Sequence, residues 1–386
     1  MATFFLILIY LAFISLGLPD SLLGAVWPAM GPSLGAPLEG AGAIALIITC
    51  GTITSSLISG FLIRKLGTGK VTCISVAMTA GALLGFSLTP SFGWLCLAAV
   101  PLGLGAGAVD AGLNQYVATH YAAKHMNWLH CFWGIGATAG PLLLSACMVG
   151  DGSWRRGYFI ISILQWTLTA ILLLSLPKWQ KAREESGEAT EANHTPLRKL
   201  KGAGMALFAF FCYCAVEATS GLWGSSYLTA TRGLSPEQAA RWISFFYMGI
   251  TAGRLLAGFA THKLNNKSLI RLGEGLCALG VVLLLLPLPA WSALLGFGCL
   301  GLGCAPIYPG MLHETPNRFG VAASQAMMGL QMAVAYVGNA TIPPSFGLLA
   351  GKVGVDVLPV CLLILIIGLT LATERVNLVT HSDMVA

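Results

Sequence analysis

Charge is what this sequence has least of. Asp, Glu, Lys and Arg make up only 9% of its 386 residues, against roughly a quarter in an ordinary soluble domain. With 56% of the residues hydrophobic, too few polar side chains remain to cover a water-soluble fold. The signatures of enzymatic chemistry are missing too: there is no Gly-rich phosphate loop, no zinc-ligand spacing and no nucleophile motif. The reading is therefore non-enzymatic, with no cofactor and no metal. No basic stripe alternates with aromatic residues, so the formal charge of +6 does not imply nucleic acid. No Lys or Arg precedes the apolar run at residues 4–18, which is read as a retained first helix and not as a signal peptide. Eleven cysteines are present, but Cys50, Cys73, Cys147, Cys277, Cys299 and Cys361 lie within apolar runs, and Cys212 and Cys214 lack redox or zinc spacing. They are read as buried thiols.

What the sequence has in quantity is glycine, 47 residues, which lets membrane helices approach closely, and long apolar runs. A bilayer core of about 30 Å needs about 20 apolar helical residues. Runs of this kind fall at 4–30, 40–63, 70–90, 93–119, 127–149, 157–176, 203–230, 238–262, 268–288, 290–313, 321–348 and 355–374. One connection is long and polar, from Pro177 to Lys201, with six spans before it and six after. The predicted organisation is an N-terminal six-helix bundle at 1–177, a cytoplasmic linker at 178–202 and a C-terminal six-helix bundle at 203–386. The fold class is all-α membrane protein, with twelve transmembrane helices in two pseudo-symmetric bundles.

Basic residues give the orientation. With both termini cytoplasmic, fifteen Lys and Arg lie inside, among them Arg64, Lys65, Lys178, Lys263 and Arg375. Arg155, Arg156, Arg232, Arg241 and Lys352 lie outside, and Arg254 lies within a span. The bias follows the positive-inside rule and places the chain in the cytoplasmic membrane. The two halves also repeat. Gly60-Phe61-Leu62-Ile63-Arg64-Lys65-Leu66 matches Gly258-Phe259-Ala260-Thr261-His262-Lys263-Leu264 at an offset of 198 residues, and Leu102 to Gly105 matches Leu300 to Gly303 at the same offset. Asp20 and Gly24 match Glu217 and Gly221 at 197, and Gly136 and Pro141 match Gly338 and Pro343 at 202. Internal repeats of this kind build transporter folds.

With six plus six spans, a charged central loop and a basic turn repeated in each half, the chain resembles the major facilitator superfamily over essentially its whole length. Gly60, Lys65, Gly67 and Lys70 approximate that family's turn motif between helices 2 and 3. Arg64 stands where the family carries an acid and His262 stands there in the second copy, so the family's salt bridge at this turn is not implied. Leu18-Pro19-Asp20, Asp110-Ala111-Gly112-Leu113-Asn114, and Asn127-Trp128-Leu129-His130 running to Gly140-Pro141 resemble the fucose-permease-like branch. That likeness implies a proton-coupled sugar symporter with functional carboxylates in helices 1 and 4.

A carboxylate within a membrane helix costs about 2.5 to 3.5 kcal/mol on insertion scales and persists where it meets a wet cavity or a partner. Asp20, Asp110 and Glu217 are the candidates for proton coupling, because desolvation favours the protonated carboxyl. The alternative is that each acid is a permanent interhelical hydrogen-bonding group. Helical spacing puts Asp110 and Asn114 on one face, aligns Asp20, Gly24 and Trp27, and aligns Glu217, Gly221 and Gly224. The glycines are read as leaving room for a ligand or as packing surfaces. Sugars need polar groups beside aromatic rings, and the substrate-binding candidates are Asn114, Gln115, Trp27, His130, Trp133, Trp223, Tyr227, Gln331 and Asn339, with Tyr116 and Gln325 further polar residues of this kind. Packing or anchoring at the interface is the competing role for each ring. Arg254 is the candidate gate, pairing with an acid, unless it snorkels to the interface. The expected partners are a small-molecule substrate, a proton and the bilayer, with the protein acting as a monomer. Sodium coupling, drug or amphipathic-compound export, and a non-transporting sensor or structural role stay open.

Overall fold

The computed structural model describes residues 2–121, 123–150, 152–186, 200–260 and 263–385. It is helical throughout, in the order α1 (Ala2–Asp20), α2 (Leu22–Ser33), α3 (Gly40–Leu66), α4 (Thr68–Ser87), α5 (Phe92–His120), α6 (Ala123–Met148), α7 (Trp154–Ser186), α8 (Ala203–Arg232), α9 (Pro236–Ala260), α10 (Asn266–Leu285), α11 (Trp291–His313), α12 (Thr315–Phe319), α13 (Val321–Val353) and α14 (Leu358–Val385). Counting α1 with α2 as one span, eleven helical segments are long and apolar enough to cross a membrane, and the 33-residue α13 is the twelfth long one. Two compact units result: residues Met1–Ala189 with Gly233–Ser244, and Thr190–Arg232 with Phe245–Ala386.

Three boundaries depart from the sequence reading. The first span is two helices, broken at Ser21 directly after Asp20. α7 runs ten residues past the expected end at 176, to Ser186, and most of the expected linker, including Glu188 and Glu191, lies outside the described residues. The gap expected after residue 313 holds the single-turn α12, tied back where Thr315 Oγ1 donates to Gln331 Oε1 at 3.0 Å.

The break in the first span has a local cause. Pro19 has no N–H, so the Ser15 carbonyl one turn earlier loses its helical donor. Gln165 on α7 supplies another: its Nε2 donates to Ser15 O at 2.5 Å, while Ser15 Oγ and Thr79 Oγ1 donate to its Oε1 at 2.6 and 3.2 Å. Charged side chains do the same for carbonyls at helix ends. Arg155 Nη1 donates to Ser87 O and Thr89 O, at 3.2 and 2.6 Å, closing α4. Arg232 closes α10 through Leu284 O, Leu286 O and Leu288 O, at 2.7 to 3.1 Å.

Glycines set the interhelical distances, and the repeat read from the sequence reappears in those contacts. A Cβ on Gly103 would stand 2.2 Å from Ile48 O, and one on Gly301 would stand 2.0 Å from Phe246 O. Both partners of the second contact lie 198 residues after those of the first. Gly105 meets Ser75 O and Gly303 meets Gly273 O at that same offset. Gly136 against Ile14 O and Gly338 against Phe211 O repeat the arrangement for α1 with α6 and α8 with α13.

Gly301→Ala is expected to destabilise the folded protein by about 2 to 3 kcal/mol, the upper range of overpacking, because the added carbon meets backbone. Gly298→Ala, where a Cβ meets nothing within 4 Å, serves as the matched control. Thermal unfolding of the two purified variants checks the difference.

Candidate functional site

In the first unit the site grows from the contact between α1 and α6. Gly17 faces Trp133 O, Gly136 faces Ile14 O and Gly140 faces Leu18 O, so the two backbones touch along two turns. That proximity brings the Trp133 indole to Asp20, where Nε1 donates to Oδ2 at 2.8 Å. Asp20 ends α1 just before α2, and its side chain is exposed while Trp133 is half-buried. His130 lies three residues before Trp133 and packs edge-on to Phe13, with ring centroids 6.1 Å apart.

The second acid of this unit is on α5, which Thr52 and Ser56 of α3 hold through Gly103 O and Gly107 O, at 3.3 and 3.1 Å. One turn later Asn114 Nδ2 donates to both Asp110 Oδ1 and Asp110 O at 2.9 Å. The expected pairing along that helix face is therefore present. Asp110 and Asn114 are half-buried and Gln115 is exposed.

In the second unit Tyr213, one turn before Glu217 on α8, donates its hydroxyl to Glu217 Oε2. The Tyr213 ring lies 5.8 Å from that of Tyr308 on α11. Arg254 lies within electrostatic reach of Tyr213 and of Cys304. Glu217, Tyr213 and Tyr308 thus group together from α8 and α11. The tyrosines were missed from the sequence alone, although the four-residue spacing of Tyr213 to Glu217 carried the signal.

Four of the expected substrate-binding residues have hydrogen-bond partners within the protein. Trp27, 2% exposed, donates Nε1 to Leu38 O at 3.0 Å and packs edge-on to Phe92, so its ring is part of the core. Trp223, 0% exposed, donates to Pro343 O at 2.9 Å. Tyr227 donates to Leu284 O at 2.7 Å, and the buried Gln331 accepts from Thr315. The indole and hydroxyl donors go to backbone carbonyls, and the Gln331 amide oxygen serves the turn at Thr315. The space expected beside Gly221 is taken as well, since a Cβ there would stand 2.4 Å from the Tyr247 hydroxyl. Asn339 differs, because its Oδ1 is buried with no hydrogen-bond partner among the described residues. Tyr116 stacks on His120 at 4.1 Å. The side chain of Gln325 and residue His262 lie outside the described residues.

Two units of six membrane spans, each with a carboxylate held by a side-chain donor, are the architecture of a membrane carrier for a small molecule. The chain belongs to the Major Facilitator Superfamily, whose family model matches residues 9–343, and it is a transporter, not an enzyme. It is similar to the glucose/mannose transporter GlcP of Bacillus subtilis, at 24% identity over 78% of this chain and 77% of that protein. It is also similar to Bypass of stop codon protein 6 of Saccharomyces cerevisiae, at 24% identity over 93% of this chain and 79% of that one. The fold matches the solved structure of the nucleoside transporter NupG with a TM-score of 0.78 and 14% identity, over 96% of this chain and 98% of that chain.

A double-mutant cycle of Asp20→Ala with Trp133→Phe is expected to give a coupling of about 1 kcal/mol in unfolding free energy, the net value of one hydrogen bond to an exposed acid. Additive effects in thermal melts would mean that the pair contributes nothing.

Proposed function

We propose that the protein is a secondary active symporter that takes up a monosaccharide or similar polyhydroxylated solute together with a proton by alternating access. In this reading it works in the cytoplasmic membrane with both termini inside. The observation that carries the sugar reading is the Asp20 and Trp133 pair. A carboxylate accepts from adjacent hydroxyls and an indole face stacks on the apolar side of a pyranose, and the contact between α1 and α6 supplies both at one point. His130, Asn114, Gln115 and Asn339 are the remaining polar groups assigned to this role. GlcP, named for glucose and mannose, supports the same class of solute.

Asp110 is assigned the coupling proton. Its observed side-chain partner is the neutral amide of Asn114, so protonation removes a charge from an apolar bundle without orphaning a cation. The amide nitrogen of Asn114 faces the carboxylate, which leaves its oxygen outside that contact and disfavours a sodium site built from the two. Glu217 is the second titratable acid, and Arg254 is the latch that senses it through the Tyr213 cluster. Substrate and proton then bind with reciprocal coupling.

In proteoliposomes, an inward proton gradient is expected to drive accumulation of glucose or mannose, and a protonophore to abolish it. Asp110→Asn is expected to lose accumulation at least about tenfold while retaining counterflow. Accumulation driven by sodium alone would overturn proton coupling. Uptake of cationic drugs with no hexose transport would overturn the sugar reading.

A further inference from the structure

One cavity among the described residues lies along α4 and the start of α5. It is an open groove of about 500 Å³ lined by Gly81, Leu84, Gly85, Leu88, Pro90 and Trp94. Its floor is low because Gly81 and Gly85 are one helical turn apart and carry no side chain, and its walls are exposed, with Leu88 68% and Trp94 49% accessible. At its end stands Arg155 of α7, whose Nη1 holds Ser87 O and Thr89 O, the carbonyls flanking Leu88 and Pro90 of the groove. The guanidinium lies over the Trp154 ring, 4.4 Å from its centroid, and Trp154 is itself tied to Ser33 Oγ at 3.1 Å. Both carbonyl bonds leave from Nη1, so Nε and Nη2 make no hydrogen bond among the described residues.

In a bilayer an apolar groove gains no hydrophobic free energy over surrounding lipid, so a preference for one lipid must come from fit and from charge at its rim. We propose that this groove is a binding site for one anionic diacyl phospholipid. An acyl chain lies over Gly81 and Gly85, Trp94 marks the interfacial level as aromatic belts do, and the phosphate is held by the free edge of the Arg155 guanidinium. The planar fork suits phosphate, and its position is set in advance by Trp154 and the α4 carbonyls.

The test is native mass spectrometry of the purified full-length protein with phosphatidylglycerol and phosphatidylcholine of identical chains. The wild type is expected to retain phosphatidylglycerol about fivefold more strongly, the effect of one basic side chain on an anionic headgroup. Arg155→Gln, which still offers an amide to the carbonyls, is expected to erase that preference, and Arg155→Lys to keep it. Gly81→Leu is expected to reduce binding of both lipids; a Cβ there has only Trp166 Cζ2 within 4 Å, at 3.9 Å, so the filled variant still folds. Trp94→Ala, at an exposed position, provides a second test of the groove. Equal retention of the two lipids by the wild type, or a preference that survives Arg155→Gln, overturns the proposal. Unchanged lipid binding in both Gly81→Leu and Trp94→Ala also overturns it, as does a dimer that Gly81→Leu dissociates without altering lipid binding.

Discussion

In hydrocarbon a helix backbone has no water to answer it, so every carbonyl released by a proline or a helix end must find its donor within the protein. Much of the side-chain chemistry here serves that demand. Gln165 answers Ser15 where Pro19 cannot, and Arg155 and Arg232 close the ends of α4 and α10. Tyr227 and Trp27 do the same for Leu284 and Leu38. Trp133 differs from Trp27 in this respect, because its indole N–H goes to the Asp20 carboxylate and not to a backbone carbonyl.

The acids divide along the same line. Asp20 and Glu217 occupy related places in the two halves, yet their donors come from different directions. Trp133 reaches Asp20 across a helix contact, whereas Tyr213 reaches Glu217 along its own helix. An interhelical donor ties the state of the acid to the separation of α1 and α6, while an intrahelical donor does not.

Much of the architecture was legible in the residue order because apolar length and glycine repeats are local signals. The 198-residue offset read from Gly103 and Gly301 became a contact of each glycine with a carbonyl at that same offset, and the Asp110 and Asn114 pair followed from spacing alone. What could not be read was which helix a given face would meet. Trp27, Trp223 and Gln331 look like ligands on a helical wheel, but a wheel does not show the Leu38, Pro343 or Thr315 partner that consumes them. Tyr247 over Gly221 is a similar case, since only the fold shows which side chain from another helix stands beside that glycine. The break after Asp20 was signalled by Pro19, but the rescue by Gln165 depends on a residue about 150 positions away.

One pair of contacts shows how the halves have drifted while keeping their shape. Where α3 meets α5, the small partner is Gly107, packed against Ser55; where α9 meets α11, it is Gly253, packed against Ala305. The bulk missing on one helix in the first half is missing on the opposite helix in the second. Exchanging a single helix between the halves would therefore join two filled positions or two empty ones, leaving a clash or a void. At this contact the helices of the two halves are interchangeable only as matched pairs, so each seam is keyed to its own half in spite of the shared repeat.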